Sequence, residues 1–137
     1  MILVDTNVWS EAFRPAPNER VRHWARDNAD VLWLSTVVIG ELLSGAELLP
    51  HGRRKTKLLA GYEELIEDNF DRIASFDLES SRQYALVVAE QTRAGRDPGT
   101  ADSQIAAIAR AWGMKLATRN TKHFAGLGIE LIDPWTA

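Results

Sequence analysis

The sequence predicts an α/β fold whose core is a mainly parallel five-stranded sheet with helices on both faces. Short apolar runs alternate along the chain with longer segments that repeat apolar residues at helical spacing. The first run, Ile2-Leu3-Val4, contains no polar residue, which is typical of a strand buried on both faces of a parallel sheet. Because strands that alternate with helices are joined by crossover connections, the sheet should be parallel.

The predicted elements are bounded by turn and capping residues. The strands cover residues 2–4, 31–34, 73–76, 114–118 and 129–132. Helices are predicted from the Asp5-Thr6-Asn7 segment through Phe13, and over residues 18–28, 37–49, 53–69, 78–93 and 100–112. The expected N-caps are Asn18, Ser35 or Thr36, Asp77 and Thr100. Gly113 should end the last helix, because glycine readily adopts positive φ.

The composition is that of an ordinary globular protein. The 137 residues include 19 acidic and 16 basic side chains, three His and no Cys, for a formal net charge of −3. This length favours one domain, residues 1–137, and the composition excludes intrinsic disorder, collagen and a disulfide scaffold. The slight acidity does not indicate a simple basic nucleic-acid binder. The lack of Cys excludes thiolate catalysis and Cys-based zinc sites.

We expect neither a membrane span nor an export signal. No apolar run reaches the roughly 18 residues that a membrane span requires. The start of the chain is a strand-like segment that ends at Asp5, without the basic region that opens a signal peptide. A cytoplasmic location is therefore expected.

Three acidic residues, Asp5, Glu41 and Asp102, stand at strand ends or early in the helices that follow strands. Each also has an ordinary structural explanation: an N-cap, a narrow polar stripe facing solvent, and a first-turn acid at the helix dipole, respectively. The helical neighbours of Glu41 and Asp102 are largely apolar, however, so we expect both carboxylates on the buried sides of their helices. Gly40 and Gly45 are poor helix formers and predict a close approach of the backbone to another group.

Taken together, the three acids predict a metal site. In parallel sheets the ligand lies beyond the carboxyl ends of the strands, where this topology can gather them. Three close carboxylates repel one another and need a cation or raised pKa values. The absence of Cys and the three scattered His disfavour zinc, whereas oxygen ligands suit Mg²⁺ or Mn²⁺. Such an ion activates water and neutralises charge at phosphorus, which indicates phosphodiester hydrolysis.

Four segments in order resemble the motifs of PIN-domain ribonucleases of the VapC toxin type. They are Ile2-Leu3-Val4-Asp5-Thr6-Asn7, Ser35-Thr36-Val37-Val38-Ile39-Gly40-Glu41-Leu42, Asp102-Ser103-Gln104-Ile105-Ala106-Ala107-Ile108-Ala109, and Thr118-Arg119-Asn120-Thr121-Lys122-His123-Phe124 followed by Gly126, Ile132 and Pro134-Trp135. The first segment alone is a weak signal. The collinear set covers essentially the whole chain and is specific.

The resemblance implies a PIN fold and a Mg²⁺- or Mn²⁺-dependent endoribonuclease that acts as the toxin of a type II toxin–antitoxin pair. It further implies a homodimer, inhibition by a cognate antitoxin protein, and an assembly with that antitoxin on DNA. By the same resemblance Asp5, Glu41 and Asp102 are the catalytic, metal-binding acids. The supporting residues would be Thr6, Asn7, Thr118 and Asn120. Asn7 matches the position that supports the first acid, and the Thr118 hydroxyl can help to hold the water.

The segment after the fourth predicted strand supplies candidates for contact with the RNA substrate: Arg119, Lys122 and His123. Arg119 and Lys122 are the best candidates for phosphate contact, because they directly follow this strand. The net negative charge of the chain does not argue against them, because net charge does not determine the local field. The segment also departs from the family pattern. Many PIN proteins have a fourth acid at Asn120 or a little after it, and this chain has none there. We therefore expect a weaker second metal site, and a single metal remains an alternative.

Other functions fit the sequence less well. A receiver-type phosphoacceptor domain would use Asp77, but it needs an acid pair after the first strand, where Thr6 follows Asp5, and a Lys before Pro134. A haloacid-dehalogenase-like phosphatase needs an Asp where Asn7 stands. A catalytically weak PIN module that serves mainly as the antitoxin's partner in a DNA-binding complex is favoured only by the missing fourth acid.

Overall fold

The computed structural model describes residues 1–137, which form five strands, six α-helices and three short 3-10 helices. The strands are β1 (Ile2–Val4), β2 (Leu32–Ser35), β3 (Ile73–Ala74), β4 (Lys115–Ala117) and β5 (Leu131–Ile132). The α-helices are α1 (Thr6–Glu11), α2 (Glu19–Asp27), α3 (Thr36–Glu47), α4 (Arg53–Asp68), α5 (Leu78–Arg93) and α6 (Thr100–Trp112). The 3-10 helices are Ala29–Val31, Phe70–Arg72 and Thr121–Phe124. None of the helices combines the length and apolar character needed to cross a membrane.

The strands form one sheet in the order β3-β2-β1-β4-β5, and every pairing is parallel. The predicted parallel five-stranded α/β fold is therefore confirmed. β1 lies at the centre, with β2 on one side and β4 on the other. The chain thus leaves β1 in one direction along the sheet and later returns on the other side. Such a reversal places the crevice for a ligand beyond the carboxyl end of the central strand.

Helices cover both faces of the sheet, as the apolar strands require. Because side chains alternate along a strand, Leu3 enters one hydrophobic cluster while Ile2 and Val4 enter the other. The larger cluster joins Leu3 to apolar residues of α3, α5 and α6. The smaller one packs Ile2 and Val4 against Val8 of α1 and Val21 of α2. Burial on both sides fixes the strand register, and with it the position of the residue that follows β1.

The predicted helix starts agree with the structure at three of the four positions. The side chains of Asn18, Ser35 and Asp77 accept hydrogen bonds from backbone N–H groups in the first turns of α2, α3 and α5. Thr100 is not an N-cap: it is the first residue of α6, and Gly99 precedes it at φ +43° without a side-chain bond. Gly113 ends α6 in the left-handed conformation, as predicted.

Several strand and helix ends differ by a few residues from their prediction. β2 begins at Leu32 because Ala29–Val31 forms a 3-10 turn. β3 ends at Ala74, and the Phe76 N–H donates to Thr36 Oγ1 rather than to a neighbouring strand. The 3-10 helix Thr121–Phe124 was not predicted. At β2 a tight turn, and at β3 a side-chain hydrogen bond, replaces strand pairing that the local sequence would also allow.

The expectation of a close backbone approach at Gly40 and Gly45 is wrong. A Cβ atom at either position would meet nothing within 4 Å. The close approach occurs instead at Gly61 in α4, where a Cβ would lie 2.8 Å from Phe13 Cε1. Phe13 is itself held edge-on against Tyr62, with ring centroids 4.8 Å apart. Gly61 therefore allows α4 to dock against the end of the α1 segment.

We expect Gly45→Ala to raise the free energy of unfolding by about 0.5–1 kcal/mol, because alanine restricts the unfolded chain and space is open at this helical position. Gly61→Ala should give no such gain, because the Phe13 ring must move. Urea unfolding of both variants measures the difference. Equal gains at the two positions would contradict the packing at Gly61.

Candidate active site

Asp5 occupies the position beyond the central strand to which the topology points. Its backbone N–H donates to the carbonyl of Ala117 at 2.9 Å, which continues the β1–β4 pairing. Its side chain is buried, with the residue only 4% exposed. Oδ1 accepts from the Thr6 N–H at 2.7 Å and Oδ2 accepts from Thr118 Oγ1 at 2.7 Å. Asp5 is thus both the N-cap of α1 and a fixed carboxylate at the head of the sheet.

The Thr118 hydroxyl has one orientation that satisfies its neighbours. Thr118 is fully buried after β4, and its Oγ1 accepts a hydrogen bond from the Asn120 N–H at 3.0 Å. The single hydroxyl proton then points to Asp5 Oδ2. A backbone amide therefore polarises the hydroxyl, which in turn stabilises the ionised carboxylate. The side chain of Asn120 is exposed and forms no cap bond.

Asn7 links the same two segments from the other side. Its Oδ1 accepts the Arg119 N–H at 3.3 Å, which directs its Nδ2 toward Asp5 Oδ2 at 3.4 Å. The contact with Arg119 joins residues that are 112 positions apart in sequence. The residue expected to support the first acid therefore lies against it.

Glu41 is exposed, so the expectation that it lies on the buried side of α3 is wrong. The helix packs through Val38, Leu42 and Ala46, and the adjacent stripe that carries Glu41 faces solvent. The carboxylate nevertheless lies beside the head of the sheet, because Thr6 Oγ1 donates to its Oε1 at 2.6 Å. Thr6 thus contacts Asp5 through its backbone and Glu41 through its side chain.

Asp102 is half-exposed in the first turn of α6, so its expected burial is also wrong. The buried residues of that helix begin with the next position, Ser103. Asp102 Oδ2 lies 3.1 Å from Nδ1 of His123, whose side chain is largely exposed. His123, predicted to contact substrate, is therefore in direct contact with one of the three acids.

The other two acids act electrostatically on Asp5. Burial raises the pKa of Asp5 above its ordinary value, and hydrogen bonds from Thr118 and Thr6 oppose that rise. The charges of Asp102 and Glu41 raise the Asp5 pKa further, and no basic side chain offsets them. The site is therefore a region of unbalanced negative charge around a buried carboxylate, which is the arrangement that a bound cation stabilises.

The donor set fits a hard divalent cation. It consists of carboxylate oxygens with a nearby hydroxyl and amide, the ligand chemistry of Mg²⁺ or Mn²⁺. No three acidic or histidine side chains converge closely enough, as placed, to enclose an ion. Glu41 and Asp102 lie on exposed surfaces where their side chains have room to turn, and Mg²⁺ commonly keeps several waters between itself and the protein. Asp5 is the one acid whose position is rigidly fixed.

Basic residues flank the acids. The guanidinium of Arg119 lies 4.7 Å from the centre of the Trp135 ring, a cation–π contact that restrains it beside the end of β4. Lys122 is exposed and lines a groove of about 480 Å³ next to Asp102. Gln91 also lines this groove and was not predicted from the sequence. Its position could have been inferred from the sequence, because Gln91 is a polar residue one helical turn after the apolar Val87 and therefore lies on the same buried face of α5.

The protein has an α/β fold with a parallel sheet and helices on both faces. Its polar site lies beyond the central strand β1, where the order of the strands reverses. A family model described as the PIN domain matches residues 2–128. The chain belongs to the PIN domain family, which confirms the resemblance found in the sequence.

Curated relatives match over nearly the full chain. The plasmid stability protein StbB of Pseudomonas syringae pv. tomato is 42% identical, covering 100% of both chains. The VapC ribonuclease Y4jK of Sinorhizobium fredii is 37% identical, covering 98% of both chains. The toxin FitB of Neisseria gonorrhoeae is 36% identical, covering 98% of this chain and 99% of FitB.

Solved structures show the same fold. A chain in the crystal structure of FitAcB from Neisseria gonorrhoeae superposes with a TM-score of 0.92, at 34% identity and 100% coverage of both chains. A chain in the crystal structure of DNA-bound VapBC from Salmonella typhimurium superposes with a TM-score of 0.81, at 25% identity and 97% coverage of both chains.

We expect Asp5→Asn to stabilise the metal-free protein at neutral pH. Because folding raises the Asp5 pKa, the folded state favours the neutral carboxyl, and ionisation above that raised pKa costs stability. Each unit of such a rise corresponds to about 1.4 kcal/mol. The gain should shrink as the pH falls through the raised pKa and vanish below the unfolded value of 3.8.

Urea unfolding in EDTA across this pH range tests the expectation. Asp30→Asn, at an exposed acid near the amino end of β2, is the matched control and should change little at any pH. A stability difference between Asp5→Asn and wild type that is independent of pH would show that Asp5 is not destabilised by ionisation.

Proposed function

We propose that this protein is a Mg²⁺- or Mn²⁺-dependent endoribonuclease that hydrolyses RNA phosphodiester bonds and is the toxin of a type II toxin–antitoxin pair. The observation that carries the proposal is the buried Asp5 carboxylate at the head of the sheet, with Glu41 and Asp102 raising its pKa and no basic partner. The similarity to a relative named as a VapC ribonuclease supports the choice of RNA.

In this proposal Asp5, Glu41 and Asp102 hold the metal. When bound, the ion would lower the pKa of a coordinated water and neutralise charge that develops on the phosphoryl oxygens. Asp5 supplies the fixed ligand, because Thr118, Thr6 and Asn7 determine where its oxygens point. Thr6 restrains Glu41 in the same way through its hydroxyl.

The basic residues and Asn120 act on the substrate side. Arg119, restrained against Trp135, and Lys122, beside Asp102 in the groove, provide positive charge for RNA phosphates. The exposed Asn120 side chain can offer a carbonyl oxygen to water held in the site. His123 contacts Asp102 and lines the same groove as Lys122.

We expect cleavage of RNA by the antitoxin-free protein to require Mg²⁺ or Mn²⁺ and to stop in excess EDTA. Asp5→Asn and Asp102→Asn should each lower the rate about 100-fold or more, since loss of metal-borne charge stabilisation costs several kcal/mol. The measurement uses an end-labelled panel of structured RNAs, tRNAs included. Asp30→Asn, at the far end of the sheet, should cleave like wild type and controls for contaminating nuclease. Intact RNA with folded protein and either metal would contradict the proposal.

We also propose that one metal binds tightly and a second binds weakly, because no fourth acid follows β4. His123→Asp places a carboxylate beside Asp102 and should tighten the binding of a second Mn²⁺ ion. Calorimetric titration with Mn²⁺ counts the ions and compares the variants, with His51→Asp, on an exposed turn, as the control. Two tight ions in the wild type, or none, would contradict the expected stoichiometry.

The partners follow from the same assignment. We propose a cytoplasmic homodimer of one catalytic domain, residues 1–137, that a cognate antitoxin inhibits and that assembles with this antitoxin on DNA. The similarity to chains from the FitAcB and DNA-bound VapBC structures supports an antitoxin partner and the assembly on DNA. The alternative of a catalytically weak module is not favoured. The Asp5 carboxylate is held by hydroxyl and amide donors, and no basic side chain neutralises it in place of a metal ion.

A further inference from the structure

A groove of about 480 Å³ opens beside Asp102 and continues the acidic site away from Asp5. It lies between α5, the loop that leads into α6, and the 3-10 helix Thr121–Phe124. Its polar lining includes Gln91, Arg96, Asp97, Lys122 and His123. A groove of this size is within the range that proteins use for small ligands, and a nucleotide fits that range.

Gln91 presents an unused hydrogen-bond acceptor to this groove. The residue is only 6% exposed, and its Nε2 donates to the carbonyl of His123 at 3.1 Å. That bond fixes the amide orientation, and no group in the protein donates to Oε1. Three side-chain polar atoms are inaccessible to solvent and have no hydrogen-bond partner: Trp9 Nε1, Ser80 Oγ and Trp112 Nε1. Gln91 Oε1 is not among them, so the small exposed part of this side chain opens on the groove that it lines.

Gln91 Oε1 therefore faces the groove as an acceptor that has no donor in the protein. Such an atom is open to water in the free protein, and an N–H donor on a bound molecule would replace that water. The position of Gln91 therefore selects for a ligand edge that carries an N–H group.

Two cations stand at the rim without acidic partners. Arg96 Nη1 donates to the carbonyl of Ala125 at 2.7 Å, which fixes the guanidinium and leaves its other N–H groups available. Lys122 lies on the facing segment, and neither residue forms a salt bridge. The exposed Asp97 also lines the groove, and its Oδ1 is engaged by the Gly99 N–H at 3.2 Å. The rim is therefore suited to a phosphate, and the interior to a polar heterocycle.

We infer that the groove binds one unpaired nucleotide of the RNA, adjacent to the phosphate that is cleaved, with its base against Gln91 and its phosphate between Arg96 and Lys122. This inference rests on the proposed ribonuclease function, since Asp102 and His123 lie on both the groove and the acidic site. Proteins read RNA sequence mainly on unpaired bases whose edges are free to form hydrogen bonds. Gln91 is thus a residue that determines sequence preference, and Arg96 and Lys122 determine affinity.

Binding of single nucleotides tests the groove without any cleavage. The full chain in EDTA is titrated with AMP, CMP, GMP, UMP, ribose 5-phosphate and inorganic phosphate, and the side-chain resonances of Gln91 and Arg96 are followed by NMR. We expect at least one nucleotide to shift both resonances saturably and to bind more tightly than ribose 5-phosphate. Shifts that are equal for ribose 5-phosphate and all four nucleotides would overturn the base contact, and the absence of any shift would overturn the whole inference.

Two variants separate the base contact from the phosphate contact. Gln91→Leu should weaken the preferred nucleotide about 5- to 10-fold, as expected for one hydrogen bond, and leave ribose 5-phosphate unchanged. Arg96→Gln should weaken every phosphate-bearing ligand alike. Gln83→Leu, the same substitution two turns earlier in α5, removes a hydrogen bond to Arg110 outside the groove and is the matched control that should bind like wild type. Circular dichroism shows whether each variant is folded.

Cleavage of a randomised single-stranded RNA library supplies the second readout. Gln91→Leu should lose about 5- to 10-fold preference at one position beside the cut, whereas Arg96→Gln should cleave more slowly without a change in preference. If Gln91→Leu does not fold, the comparison of nucleotides with ribose 5-phosphate on the wild type still decides the inference. Absence of cleavage by the wild type would overturn the proposed function, and the NMR titration would still report separately on the groove.

Discussion

The geometry of the acidic site depends on the pairing of β1 with β4. That pairing brings the end of β4 beside the end of β1, so that the Ala117 carbonyl bonds the Asp5 backbone and the Thr118 hydroxyl bonds its carboxylate at 2.7 Å. Because β1 is the central strand and is buried on both faces, neither residue can shift without disturbing two hydrophobic clusters. A carboxylate held in this way cannot relax toward solvent. Its unfavourable burial is maintained by the stability of the whole sheet, as expected for a functional charge.

The fold was predictable because its determinants are local. Uninterrupted apolar runs identified β1 and β2, and a largely apolar segment after Gly113 identified β4. The side chains of Ser35 and Asp77 marked where the next helices begin. Thr100 was misplaced because Gly99 enters α6 at positive φ, a backbone conformation that the neighbouring residue types do not require. The short length of β3 was not predictable either, since it depends on a hydrogen bond from Phe76 to a residue forty positions earlier.

The placement of the three acids near the head of the sheet was predictable, and their surroundings were less so. Strand ends and helix starts placed the acids at one edge of the sheet, but apolar neighbours in sequence wrongly suggested that Glu41 and Asp102 are buried. A helix packs through one stripe, and residues one position away from that stripe emerge into solvent. Gln91 was missed for a different reason. Its side chain is oriented by a hydrogen bond to the carbonyl of His123, thirty-two positions later, and no local sequence pattern predicts that contact.

The separation of Asp5 and Thr118 along the chain, 113 positions, has a consequence for synthesis. During synthesis Asp5 therefore emerges long before the hydroxyl that orients it and the strand that completes its burial. β1 has no β4 partner until residues 115–117 have left the ribosome, and until then the emerged segments can form local helices and the β1–β2 and β2–β3 pairs. The acidic site is therefore incomplete until β4 has emerged and paired with β1.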